Sequence, residues 1–475
     1  MITNNAPFSA IALDLGTTSI KAALMDAAGM LQHITQQNAP DINTDNGHYE
    51  SDALSYLKIA EQVVKQCLEH TDQKPPLGLC SQRSSFLIWD KTSGNPITPL
   101  ISWQDDRGIP CCTRLQSSIQ VIQQLTGLRL TPYYFAPKLN VLLQENPSWR
   151  DKLLKKEWLV GTLDTFLIWR WTEGQHFIVD ASMSARTLLM DIHQQRWSKS
   201  LCELFEIPID ILPDIQSSTQ LNVPLKTFDL TLTTSIADQS AAFLACIGQN
   251  PTHVSSSDRA LINLGTGGFV MRSIKQQFPI LTGYLQTLIY QPAHKTPQFA
   301  IEGTLNSIAV ALARFPIKDC VIEDMASNDI FCIAEPSGLG APYFRQDYGL
   351  FFSHSISTLT QQQIATLLLE AITFRVVRIV EDFHNQFPLR AVYLSGGLSA
   401  LPCLQQSIRQ CIGIPVYYLQ QKEASLQGTA LLTFNTGNTF NQETIEITIQ
   451  SKNERLLNKF LAWKKWLDGL LLTKN

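Results

Sequence analysis

The chain opens with an apolar run from Phe8 to Asp14 that breaks at Leu15-Gly-Thr-Thr-Ser19 and resumes from Ile20 to Met25. A turn at Asp26-Ala-Ala-Gly29 follows, and Met30 to Thr35 reads as a third strand. Short apolar runs separated by glycine and hydroxyl residues predict an antiparallel meander. The period then changes. From Ser51 to Glu69 the apolar positions Leu54, Leu57, Ala60, Val63, Val64, Cys67 and Leu68 keep helical spacing. Leu77–Ser81 and Phe86–Trp89 read as short strands, and Gly108–Leu125, Ala136–Glu145, Thr162–Trp171 and Trp197–Phe205 as helices. Interleaved strands and helices of this kind predict an α/β architecture.

Near mid-chain the opening pattern recurs. Ala260-Leu-Ile-Asn-Leu264 is apolar, Gly265-Thr-Gly-Gly268 is a turn, and Phe269-Val-Met-Arg272 is a second strand. One strand–Gly-Thr–strand unit in each half suggests two related domains, although any two β-hairpins share this much pattern. Turn-forming residues at Gly248–Asp258 mark the connector, which gives domains over 1–248 and 249–475. The second half continues with a helix at Gln361–Phe387, a strand at Ala391–Leu394, Ser395-Gly-Gly397 before another helix, and a helix at Glu423–Phe434. The tail Glu454–Leu472 is amphipathic, with Leu456, Leu457, Phe460, Leu461, Trp463 and Trp466 expected to dock on its own domain rather than on a membrane.

Composition narrows the field. With 44% apolar and 16% charged residues the chain can build a large core, and disorder is not expected. The net charge of −4 argues against a dominant nucleic-acid or membrane surface. No apolar run reaches membrane-spanning length, and the first seven residues lack the basic and apolar regions of a signal peptide. None of the ten cysteines forms Cys-x-x-Cys, and no His-Glu-x-x-His is present, so neither a zinc ribbon nor a zinc protease is indicated. Free thiols in such a chain point to the reducing cytoplasm.

The two turns carry the candidate chemistry. A tight glycine turn exposes backbone N–H groups that bind phosphate oxygens. Gly16, Thr17 and Thr18 form one such cradle with Lys21 nearby, and Gly265, Thr266 and Gly267 form another. Asp14, at the end of the first strand, either holds Mg2+ through water or bonds its own turn. Gly396 and Gly397 allow close approach of a flat nucleoside or of a helix onto its strand. Asp238, before an alanine-rich stretch, is either a helix N-cap or a base for an attacking hydroxyl. A P-loop and a Gly-x-Gly-x-x-Gly fingerprint are both missing.

Taken in order, these segments resemble the FGGY carbohydrate kinases, of the actin/hexokinase/Hsp70 superfamily. The glycerol-kinase branch is nearest in pattern. The resemblance rests on Asp14-Leu-Gly-Thr-Thr-Ser-Ile-Lys21, Ser81-Gln-Arg-Ser-Ser85, Ile101-Ser-Trp-Gln-Asp-Asp-Arg107, Pro132-Tyr133, Gly161-Thr-Leu-Asp164, Ala185-Arg-Thr, Ala237-Asp-Gln239, Gly265-Thr-Gly267, Gly338-Leu-Gly-Ala-Pro-Tyr343 and Ser395-Gly-Gly397. It implies two RNase-H-like domains with an interdomain cleft that closes on ATP and a small polyol or sugar. By resemblance Asp238 is the general base and Asp14 organises Mg2+. Gly16, Thr17, Thr18, Lys21, Gly265, Thr266 and Gly267 hold phosphates. Gly338, Gly396 and Gly397 contact the nucleotide. The acceptor pattern maps onto Arg83, Trp103, Tyr133, Asp238, Gln239 and Phe269.

One departure bears on the substrate. Glycerol kinases carry an acidic residue after the matching arginine, and here Ser84 stands in its place. The acceptor pocket is expected to be roomier and less anionic, which favours an acceptor larger than glycerol. The expected activity is ATP-dependent phosphorylation of a polyol or sugar hydroxyl. The alternatives are a nucleotide-binding sensor that has lost transfer and, behind it, a chaperone-like ATPase. No nucleic-acid or membrane partner is expected, and homo-oligomerisation stays open.

Overall fold

The computed structural model describes residues 8–247, 256–274, 281–420, 423–434 and 444–472. The opening heptapeptide and most of the expected Gly248–Asp258 connector lie outside the described residues. The chain packs as two units. The first comprises Met1–Ala245, Gln286–Phe299 and Glu423–Phe440, and the second comprises Cys246–Leu285, Ala300–Lys422 and Asn441–Asn475. The break at Ala245 is close to the expected boundary, but two later segments group with the first unit rather than with the second half.

The first unit is built on a six-stranded sheet in the order Thr219–Leu225, Leu230–Ala237, Leu77–Ser81, Ala10–Leu15, Ser19–Met25, Leu31–Asn38. Ala10–Leu15 runs antiparallel to Ser19–Met25 and parallel to Leu77–Ser81. Every residue of Ala10–Leu15 is buried, so the strand is covered on both faces. Ile11, Leu13 and Leu15 pack with Tyr56, Ala60, Val63 and Val64 of the helix Ala53–Leu68. The opposite face carries Ala10 and Ala12, which pack with Leu426 and Ala430 of the helix Ala424–Phe434. Small residues also let that helix pack closely on the helix Asp238–Ile247 of this unit: a Cβ at Gly428 would lie 1.9 Å from the Ala241 carbonyl oxygen. This contact explains why a segment so late in the chain folds with the first unit. Asp14 lies on the same face as Ala10 and Ala12 by strand alternation.

A second sheet in this unit runs Asn43–Asp45, His48–Ser51, Leu100–Ile101, Phe86–Asp90, Trp158–Thr162. Its core joins Phe86, Ile88 and Val160 to Phe135, Leu139 and Leu142 of the helix Phe135–Glu145. The single helix expected over Gly108–Leu125 is instead Ile109–Arg114, a 3-10 turn at Gln116–Ser118, and Ile119–Thr126. Leu115 takes a non-helical conformation between them, and two serines follow.

In the second unit Arg259–Leu264 runs antiparallel to Gly268–Ile274 and parallel to Ala391–Ser395, which in turn pairs in parallel with Val416–Leu419. This repeats the arrangement around Ala10–Leu15, so the recurrence along the sequence is a recurrence of topology. The 26-residue helix Gln361–Gln386 begins at a capping box between Thr360 and Gln363. The tail helix Glu454–Leu472 docks on this unit through Leu456, Phe460, Trp463 and Leu467. Lys459 pairs with buried Glu370 at 2.5 Å, and Trp463 Nε1–H donates to the Cys332 carbonyl at 3.1 Å. Leu457 and Leu461, expected to pack, are exposed because they fall on the helix face away from those contacts. No described helix is long and apolar enough to cross a membrane.

Candidate active site

The Gly16–Thr18 turn closes on itself: Gly16 N–H donates to the Ser19 carbonyl at 3.1 Å. A Cβ at Gly16 would lie 2.7 Å from that oxygen, so the turn requires glycine. Thr18 is exposed at the tip. Thr17 Oγ1 accepts the Trp103 indole N–H at 3.0 Å and lies 3.4 Å from Gln82 Oε1. Gln82 is buried and also accepts from Ser85 Oγ at 2.9 Å, while its Nε2 donates to Tyr56 Oη at 3.1 Å. Ser85 Oγ in turn accepts the Trp103 backbone N–H at 3.0 Å. The expected phosphate turn and the expected acceptor wall are thus joined within one hydrogen-bonded network.

Arg83 is buried and donates through Nη2 to Gln239 Oε1, with its Nε 3.9 Å from Asp238 Oδ1. Asp238 is the first residue of the helix Asp238–Ile247, and its Oδ1 accepts the Gln239 N–H at 2.7 Å. Asp238 therefore stands at a helix start beside Arg83. The Trp103 and Tyr133 rings lie 5.4 Å apart. Ser84 is different: it is buried with φ +64°, and its hydroxyl donates to the Arg186 carbonyl at 3.0 Å. Its one hydroxyl proton is committed to backbone, which leaves only the oxygen, as a hydrogen-bond acceptor, for other contacts.

Asp14 is buried, and its Oδ2 accepts from Ser425 Oγ at 2.6 Å. Burial pushes its carboxyl up to about 6; the Ser425 hydroxyl opposes this and the charge of Asp238 adds to it. Asp238 is likewise raised by burial, against the lowering effects of Arg83, the Gln239 N–H and Arg186. Asp14 Oδ1 is buried with no N–H or O–H donor on it, and the Cys80 thiol acts on the same carboxyl as a weak donor. A buried carboxylate oxygen without an N–H or O–H donor, beside a second carboxylate, suits a hard dication. No group of three or more acidic, His or Cys residues able to hold a metal occurs among the described residues. Lys21, expected to meet phosphate, pairs with Glu423 at 2.6 Å.

The second unit carries the remaining residues, among them Phe269 in the strand Gly268–Ile274. Gly265 N–H donates to the Gly267 carbonyl at 2.8 Å, and exposed Thr266 accepts the Ala309 N–H on its carbonyl at 3.1 Å. Gly396 has φ +90°, and a Cβ there would lie 2.5 Å from the Leu264 carbonyl oxygen. The Gly396–Gly397 segment therefore sits against the strand that leads into the Gly265 turn. A Cβ at Gly397 would meet nothing within 4 Å, so that position faces open space. Gly338, with φ +91°, accepts the Asn306 Nδ2–H on its carbonyl at 2.9 Å. Glu335 fixes this loop: its carboxylate accepts the N–H groups of Asn306 and Gly340 at 2.9 and 2.8 Å and pairs with Arg375 at 2.6 Å.

Sequence reasoning missed Gln82, Glu423, Ser425 and Glu335. Gln82 adjoins Arg83 and was within reach. The pairing of Ser425 with Asp14 spans 411 residues, and no local pattern signals it.

Two sequence-family signatures match the chain. One, described as the FGGY family of carbohydrate kinases, N-terminal domain, matches residues 9–228, and its C-terminal counterpart matches residues 260–436. The chain is 30% identical over 446 residues to a glycerol kinase of Acinetobacter baylyi, with 89% of each chain covered. Its fold is similar to that of Plasmodium falciparum glycerol kinase solved with ADP (TM-score 0.86, 22% identity, 97% of this chain and 98% of that one). A gluconate kinase from Lactobacillus acidophilus is also similar (TM-score 0.80, 17% identity, 97% and 98% covered).

Proposed function

This chain belongs to the FGGY family of carbohydrate kinases, and from that premise we propose how its residues divide the work. The activity is ATP-dependent phosphorylation of a hydroxyl on a small polyol or sugar. A sensor that has lost transfer draws no support from the fold or from the relatives. In our reading the first unit supplies the base, the acceptor contacts and one phosphate turn. The second supplies the other phosphate turn and the nucleoside contacts.

The reading rests most on one observation: Asp238, Arg83 and Gln239 converge, with Asp14 near enough to Asp238 for the charge of Asp238 to raise its carboxyl. Phosphoryl transfer proceeds through a loose transition state and is catalysed mainly by alignment and charge stabilisation. Asp238 accepts the proton of the attacking hydroxyl and orients its oxygen toward the γ-phosphorus. Arg83 donates to the acceptor's neighbouring hydroxyls, and Gln239 holds Arg83 in place. Trp103 and Tyr133 give apolar walls for the C–H faces of the acceptor and exclude water. The Gly16 and Gly265 turns donate backbone N–H groups to phosphate oxygens, and Lys21 adds charge once it leaves Glu423. Asp14 would hold Mg2+ through Oδ1, and the ion would neutralise charge on the phosphate oxygens. Gly397, facing open space, leaves room for the nucleoside, and Gly338 and Gly396 shape the backbone that frames it. With the Ser84 hydroxyl turned to backbone and no carboxylate at that position, an acceptor longer than glycerol is favoured.

The test is acceptor-stimulated ADP release over a panel of polyols, ketoses and aldonates, with Asp238→Asn alongside. Turnover with at least one member, lost in the variant, is expected. No turnover across the panel refutes the acceptor reading, and full activity in Asp238→Asn removes that residue from the mechanism.

A further inference from the structure

Lys138 sits within the helix Phe135–Glu145 and has no solvent exposure. Helical spacing places it on the face of Phe135, Leu139 and Leu142, which is the core face. A lysine there is unusual, because burying an amine is unfavourable unless its hydrogens find partners. Its Nζ donates to the Ser102 carbonyl at 2.8 Å and to the Ser84 carbonyl at 3.1 Å. It also lies 5.8 Å from the Phe86 ring centroid. Asp105, Asp106 and Arg107 are the charges that bear on it.

The two carbonyls are well placed in the sequence. Ser84 follows Arg83, and Ser102 precedes Trp103. Ser84 is also in the left-handed region at φ +64°, a conformation that a non-glycine residue keeps only where its surroundings hold it. A methionine would fill the same space without desolvation, so the amine is there for its hydrogen bonds.

We propose that Lys138 is a positioning residue for the acceptor: its amine clamps the backbone beside Arg83 to the backbone beside Trp103. The clamp sets the distance between the guanidinium donor and the indole wall. It rests on the acceptor reading given above. Lys138 itself contacts no residue of either phosphate turn, and its one link to them runs through the Trp103 indole to Thr17, so its loss falls more heavily on the acceptor than on ATP. A misplacement of about 1 Å in such a pocket is enough to cost on the order of a hundredfold in rate.

The experiment compares wild type, Lys138→Met, Lys138→Gln and Arg83→Met. The acceptor is whichever of glycerol, D-xylulose or D-gluconate the wild type phosphorylates fastest. Lys138→Met is expected to raise the acceptor KM by about tenfold or more and to leave the KM for ATP within about threefold. Lys138→Gln keeps N–H donors on a shorter side chain and is expected to fall between. Should Lys138→Met fail to fold, Lys138→Gln carries the same comparison. An acceptor KM equal to that of wild type, or KM values for acceptor and ATP that rise together, overturns the proposal. If Arg83→Met also leaves the acceptor KM unchanged, it is the acceptor reading that fails. If only Arg83→Met raises it, the clamp alone fails.

Discussion

Ser425→Ala removes the hydroxyl that donates to Asp14 Oδ2 at 2.6 Å. No N–H or O–H reaches Asp14 Oδ1, so the loss would leave the buried carboxylate with the weaker Cys80 thiol in place of its 2.6 Å hydroxyl donor. A hydrogen bond to a charged group is worth about 1.5–3 kcal/mol. Each pKa unit corresponds to about 1.4 kcal/mol, so the loss moves the Asp14 carboxyl by roughly 1–2 units. Starting from about 6, it would reach roughly 7–8. If ionised Asp14 is needed, the acid limb of kcat/KM for ATP shifts up by the same amount. At pH 7 the variant would retain about a quarter of wild-type activity and would recover toward pH 9.

Stability gives a second readout with a defined sign. The folded carboxyl titrates above the usual value of 3.8. The folded state therefore binds more protons than the unfolded state between those two values, and stability falls as pH rises through that window. Ser425→Ala extends the window upward, so the stability gap between wild type and variant is wider at pH 8 than at pH 5. Ser425→Thr keeps the hydroxyl and should overlay the wild type. A uniform drop in activity at all pH values, with no shift of the acid limb, would refute the reasoning.

Asp238→Asn should lower kcat by about 10²–10⁴-fold with little change in the KM for ATP, measured by coupled ADP release. Glu423→Gln frees Lys21 from a pair whose side chains are only 18% and 24% exposed. Stability should change by no more than about 1 kcal/mol, while the KM for ATP falls; a rise would mean that Glu423 positions Lys21 instead of restraining it. Glu370→Gln leaves Lys459 buried without its counter-charge. Denaturant titration should show a loss of about 3–5 kcal/mol, most of it recovered by replacing both partners with apolar residues of similar size.

The parts of the fold that were readable are those where local period and burial coincide. Ala10–Leu15, Ser19–Met25 and the helix Ala53–Leu68 appear almost where their patterns place them, because each buries a face defined by its own residues. The helix Gln361–Gln386 was equally plain, ending one residue from its expected limit. Lys138 was less so. A charged residue within a helix reads as solvent-facing, and only the neighbouring Phe135, Leu139 and Leu142 indicate that its face is the core. Ser84 was read from its position in a motif, which says nothing about a backbone turned to φ +64° or a hydroxyl aimed at the Arg186 carbonyl.

The least readable feature has a physical cause. In the helix Ala424–Phe434 the residues Ala424, Ser425, Gly428, Thr429 and Ala430 are small, so its sequence declares a close approach without declaring a partner. The partner is the face of Ala10–Leu15 that carries Ala10, Ala12 and Asp14. Alanines at 10 and 12 are what make the approach close enough for a serine hydroxyl to reach a strand-borne carboxylate. The same approach brings Glu423, two residues before Ser425, to Lys21. A strand of the first forty residues and a helix beyond residue 420 therefore set the charge state of the first phosphate turn together. The first unit cannot acquire that charge state until the chain has been made as far as this helix. Larger side chains at Ala10 or Ala12 would disturb it without touching the site itself, because the electrostatics of Asp14 depend on how near that helix can lie.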